Sequence, residues 1–129
     1  MYQFHGWFTL SESTEEDDVG GLDAAVEELR ARLAEELPSS VVASLDVVNG
    51  WYLLTMTGNP NRKRDTWVED TIDFVRTRLP GSWGLLYERD DETTLPPGPN
   101  AFRVTVLARG ELSVRSDPFL SPCIPVIED

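Results

Sequence analysis

The sequence predicts an α+β fold: a single antiparallel-rich sheet with two helices on one face, in the order β-α-β-β-α-β-β-β. Three observations carry this prediction. Apolar spacing switches between a period of two and a helical period along the chain. Asn49-Gly50 lies between two β-branched and aromatic runs, the preferred two-residue hairpin loop. A second tight turn, at Arg109-Gly110, leads to a last short strand near Leu112 and Val114. The first six elements match the split βαβ, or ferredoxin-like, core, with C-terminal strands and an extended tail added. A chain of 129 residues fits one domain over 1–129, able to bury a core without metals or disulfides.

Taken in order, Tyr2–Leu10 alternates, with Tyr2, Phe4, Gly6, Phe8 and Leu10 on one face and Gln3, His5, Trp7 and Thr9 on the other. Gly6 inside this strand predicts a bulge or a close neighbour. The acidic stretch SESTEEDDVGG reads as a loop. Leu22, Val26, Leu29, Leu33 and Leu37 recur at helical spacing, with Glu28–Arg32 as an i,i+4 pair and Pro38 as the stop. The Asn49-Gly50 turn sets Val48 opposite Trp51, Asp46 opposite Leu53 and Ser44 opposite Thr55. It thereby points Val41, Ala43, Leu45, Val47, Tyr52, Leu54 and Met56 at the core. Thr66-Trp67-Val68-Glu69 reads as a capping box opening a helix through Val68, Ile72, Val75 and Leu79, stopped by Pro80-Gly81. Ser82–Arg89 is a strand with Trp83, Leu85 and Tyr87 on one side, and Ala101–Arg109 turns Phe102, Val104, Val106 and Ala108 inward.

Helices on one face leave the other to be covered. It is expected to show His5, Trp7, Val48, Trp51, Leu53, Leu86 and Leu107, a patch a monomer rarely leaves bare. Residues 117–127, with Phe119, Leu120, Ile124, Val126 and Ile127 among prolines, are expected to lie on that face or its edge as a strap.

Charge is the most informative bulk property. The net charge is −12, and residues 1–61 hold eleven acids against Arg30 and Arg32 alone. Such a field repels nucleic acid and anionic membranes and attracts a basic partner. The sole basic cluster, Asn61-Arg62-Lys63-Arg64, reads as a local feature before the second helix. The acid runs at 15–18 and 90–92 lack the spacing of a calcium loop. GxSxG, P-loop and GxGxxG patterns do not occur. His5 and Cys123 are the only imidazole and thiol, and a lone cysteine is more often a small buried hydrophobe than a nucleophile. No cofactor or metal is expected. The N-terminal residues lack signal-peptide features and no apolar run approaches the roughly 18 residues of a membrane span, so a cytoplasmic location is expected.

Four segments together carry a family resemblance: FHGWFTL at 4–10, GSWGLLYERDDE at 81–92, FRVTVLARGEL at 102–112 and DPFLSPCIPVIED at 117–129. In that order they resemble the immunity protein 7 family, bacterial α+β proteins encoded beside polymorphic toxins. The resemblance implies a binding protein that neutralises a cognate toxin domain and is not an enzyme. It also implies an architectural role for the motif residues His5, Gly6, Trp7, Trp83, Gly84, Tyr87, Arg109, Phe119, Pro122 and Cys123. Many such toxins are nucleases with basic clefts. Partner contacts are therefore sought among Glu12, Glu15, Glu16, Asp17 and Asp18, with Glu88, Asp90, Asp91 and Glu92 as a second cluster and Trp51 as an aromatic anchor. The other readings are an acidic adaptor or accessory subunit, and a small hydrolase using paired acids or Cys123 with His5.

Overall fold

Alternation in the first strand sets the layout. β1 (Tyr2–Leu10) buries Tyr2, Phe4, Phe8 and Leu10 on one side, and α1 (Leu22–Glu36) follows with Ala25, Val26 and Leu29 buried. The chain then runs through β2 (Val41–Val48), β3 (Trp51–Gly58) and α2 (Trp67–Arg78). β4 (Trp83–Asp90), β5 (Arg103–Ala108), β6 (Glu111–Ser116) and the short β7 (Leu120–Ser121) and β8 (Ile124–Ile127) complete it. The computed structural model describes residues 2–12, 21–59, 66–90, 101–121 and 124–127, beyond residue 119 as backbone only. Six strands form one antiparallel sheet in the order β2-β3-β1-β4-β5-β6. Its first four strands have the ferredoxin-like order, and β5 and β6 extend it beyond β4. The core lies between the sheet and the two helices, where Phe4, Leu10, Leu29, Leu54, Val75 and Leu79 are almost wholly buried.

The β2–β3 hairpin has the expected register, Val48 opposite Trp51 and Asp46 opposite Leu53. Asn49 and Gly50 hold φ of 50° and 82°, the left-handed pair of a type I′ turn. Val47 departs from expectation: it is 57% exposed, because the hairpin tip runs past the helical cover.

Two local pairings give way to longer-range ones. Glu28 does not bond Arg32. It meets Arg78 of α2 at 2.5 Å, while Arg32 reaches Glu36 at 3.8 Å and lies over the Phe74 ring at 5.0 Å. The capping box is also absent. Thr66 has φ −84° and ψ 8° rather than an extended conformation, and its Oγ1 donates to Asp70 at 2.9 Å.

β4 and β5 show the opposite faces to those expected. Gly6 pairs with Leu86 and Phe8 with Gly84, and Gly84 in turn with Leu107. Leu86 and Leu107 are therefore core residues, each 2% exposed, while Trp83, Leu85, Tyr87, Val104, Val106 and Ala108 belong to the face opposite the helices, where Val104 is nonetheless buried at 8% exposed. Both faces of these strands are apolar, so alternation alone does not choose between them. Pairing with β1 does. A Cβ on Gly84 would collide with the Trp7 carbonyl and come within 2.5 Å of the Phe8 ring. Gly6 sits in unbroken register without a bulge, with the side chains of Leu86 and Met56 filling the space beside it.

The tail is not one extended strap. Leu120 pairs with Ile127 and Ser121 with Ile124, in a two-stranded ribbon separate from the main sheet. A ribbon of two strands has only edges, so Pro125 is tolerated in it. Phe119, which leads into it, is 70% exposed.

Candidate partner-binding face

The sheet face opposite the helices carries three tryptophans. Trp7, Trp51 and Trp83 are 45%, 51% and 42% exposed, and the Trp51 and Trp83 rings meet edge-on at 5.5 Å. The register explains the meeting. Thr9 of β1 pairs with Leu53 on one side and Trp83 on the other, so the tip of the β2–β3 hairpin and the start of β4 lie at one end of the sheet. Exposed Val48 pairs with Trp51, and half-buried Leu53 and Leu85 follow the two tryptophans on the same face of β3 and β4. Trp7 and Trp51 are expected here from the alternation of β1 and the hairpin register, whereas alternation in β4 alone puts Trp83 on the other face.

Toward the sheet's other end the face is polar and ordered. Thr57 Oγ1 donates to the Phe4 carbonyl at 3.2 Å and accepts from His5 Nδ1 at 2.7 Å. His5 Nε2 then accepts from the Gln3 amide at 3.1 Å, so His5 is a link in a structural chain. Beside it, His5, Trp7, Val42, Ser44, Thr55 and Tyr87 line a shallow depression of about 260 Å³.

The acids named from the sequence separate into distinct settings. Glu12 is tied down: both its carboxylate oxygens accept from the Gly21 backbone N–H, at 3.1 and 3.0 Å, bracing the start of α1. Glu88 is 7% exposed on the helix side and accepts from the Tyr2 hydroxyl at 2.7 Å. It was expected among outward-facing acids, but β4's reversed face turns it inward. Burial first, then the Glu88 charge, push the Tyr2 hydroxyl far above its ordinary range, so it stays a donor. Asp90 is half-buried at the far end of β4, opposite Tyr2. Seven residues of strand, roughly 23 Å, separate it from the Trp83 end. Glu15, Glu16, Asp17, Asp18, Asp91, Glu92, Pro122 and Cys123 lie outside the described residues. Of the remaining motif residues, Arg109 occupies the first position of the β5–β6 turn at φ 53°.

Helix positions not named as partner contacts carry most of the described surface's acidity. Asp23, Glu27, Glu28, Glu35 and Glu36 of α1 and Glu69, Asp70 and Asp73 of α2 are all exposed. Several are engaged, Asp23 accepting from Tyr52 at 2.7 Å and Glu27 meeting Arg30 at 3.5 Å. That hydrogen bond is the main influence raising the Tyr52 pKa. On the open face the described charges balance, Asp46 and Glu111 against Arg89 and Arg115. Among the described residues there is no group of three potential metal ligands, and no helix is long and apolar enough to cross a membrane.

An open, aromatic sheet face on an α+β scaffold is the equipment of a protein-binding domain. The chain belongs to the immunity protein 7 family, whose model matches residues 1–129, and so to the immunity proteins that act against polymorphic toxins. Comparison with curated proteins and with solved structures returned no significant match.

Proposed function

We propose that this protein binds and neutralises its cognate toxin domain in the cytoplasm by docking it on the open sheet face. Trp51 and Trp83 are the anchors, with Trp7 beside them. The carrying observation is the exposed Trp51–Trp83 pair, since paired half-exposed tryptophans are the side chains most enriched where binding energy concentrates. The segment with Glu15, Glu16, Asp17 and Asp18 runs between Glu12 and Gly21, directly after the strand that ends at this tryptophan end. Its acids steer a cationic toxin surface, such as a nuclease's phosphate-binding cleft, toward the anchors. Asp90 adds to the long-range field from the far end, and Asp91 and Glu92 add to the net negative charge. Glu12 and Glu88 drop out of the contact set, being committed to Gly21 and Tyr2.

The test is co-expression with the toxin domain encoded beside the gene, paired with binding kinetics. Trp51→Ala and Trp83→Ala are each expected to weaken binding at least tenfold, about 1.4 kcal/mol or more, and to lose protection from growth arrest while circular dichroism is unchanged. Reversing residues 15–18 to lysine is expected to slow association and flatten its salt dependence. Full protection by both tryptophan variants would remove the docking face from the proposal.

A further inference from the structure

The two edges of the sheet are not equivalent. On β2 the outward-pointing groups are partly taken: Arg30 donates to the Leu45 carbonyl at 3.0 Å, and the Val41 N–H bonds the Pro38 carbonyl at 3.1 Å. A guanidinium lying along an edge blocks the approach of another strand. Among the described residues β6 has no such guard. The two-residue turn at Arg109-Gly110 and the Asp117 N–H to Phe102 carbonyl bond of 3.0 Å fix the phase of its ladder with β5. In that phase Glu111, Ser113 and Arg115 bond to β5, while the backbone groups of Leu112, Val114 and Ser116 face outward. Among the described residues none bonds those groups, and every residue of β6 is exposed, Leu112 at 38% and Val114 at 44%.

We propose that β6 is a self-association edge: two copies pair their β6 strands antiparallel about a two-fold axis at Ser113. The sequence of the strand fits itself in this register. Glu111 of each copy falls opposite Arg115 of the other, and Leu112 opposite Val114, while Ser113 meets Ser113. Leu112 and Val114 are among the residues whose backbone groups face outward with no bond from the described residues, so the pairing supplies ladder bonds at the same positions. Charges of opposite sign directly across an antiparallel pair are favourable, and like charges there are unfavourable. The apolar side chains of both strands then meet on the helix side, closing one end of the cleft of about 330 Å³ that Val68 and Ile72 of α2 line with them. β2 does not fit itself in this way, since its single charge, Asp46, has no basic partner on the strand. Five paired residues on each strand, Glu111 to Arg115, make a small interface, so the association is weak and concentration-dependent.

Sedimentation equilibrium of the full chain from micromolar to millimolar concentration tests this. A monomer–dimer equilibrium is expected. Glu111→Arg and Arg115→Glu should each raise the dimer dissociation constant by about tenfold, because either change creates two like-charge pairs per dimer. The combined E111R/R115E exchange should restore it to within about twofold. Val114→Pro removes an outward donor without breaking a bond to β5 and is expected to be monomeric throughout. If it fails to fold, the charge series decides alone. A monomer at every concentration overturns the proposal, as does a dimer that survives both single reversals or is not restored by the exchange. A monomeric chain whose toxin binding is nonetheless lost in Val114→Pro also overturns it, since the edge would then belong to the toxin.

Discussion

Gly84 is fixed by what lies against it rather than by its backbone angles. The Trp7 carbonyl and the Phe8 ring occupy the place of its Cβ, and neither is the free end of a flexible chain. Gly84→Ala is expected to destabilise the fold by about 3 kcal/mol, read from the midpoint of urea unfolding. Tyr2 gives a test of sign. Its folded-state pKa is raised above the ordinary 10.0 by burial and by Glu88, so the folded chain keeps a proton that the unfolded chain releases. The stabilisation is therefore complete below about pH 10 and declines as pH climbs past it, by up to about 1.4 kcal/mol per pH unit. Tyr2→Phe is expected to cost about 2 kcal/mol at neutral pH, through the lost bond to a carboxylate, and to flatten the alkaline limb of a stability–pH curve. Neither role was legible in the sequence. The glycine's neighbour and the tyrosine's partner both belong to strands far away along the chain.

At the scale of elements, legibility follows the range of the interaction. The β2–β3 register is readable residue for residue, because Asn49-Gly50 encodes its own turn geometry and the turn fixes the pairing. Both helices were likewise readable from spacing, ending before Pro38 and Pro80. The failures are contests that a distant partner won. Glu28 left Arg32 for Arg78 across the helix pair, and β4 took its facing from β1 instead of from its own alternation. Edge protection by Arg30 belongs here too, because it joins α1 to a strand that follows it. Arg30→Ala is expected to leave the melting temperature within about 2 °C of the parent while hastening aggregation in concentrated solution, measured by light scattering. Unchanged scattering would mean that the guanidinium protects nothing.

For the whole molecule, chemistry divides between the two faces: acids crowd the helix layer, and tryptophans sit on a sheet face whose described charges balance. A net charge of −12 on 129 residues also repels itself. Raising sodium chloride from about 0.05 to 0.5 M is expected to raise the melting temperature by screening that repulsion. A fall would assign more weight to the ion pairs such as Glu28–Arg78. The same salt series separates the two parts of the docking proposal, since steering by acids is screened while anchoring by tryptophans is not. The sequence by itself determined the α+β class, the order of elements, the hairpin register and the acidic balance, all set by local turn chemistry, periodicity and composition. The tertiary structure alone decided which face of β4 and β5 meets the core, and so brought Trp83 out beside Trp51 and took Glu88 in beside Tyr2. The reason is that a strand apolar on both sides has two nearly equal ways to lie, and only the neighbours it packs against tell them apart.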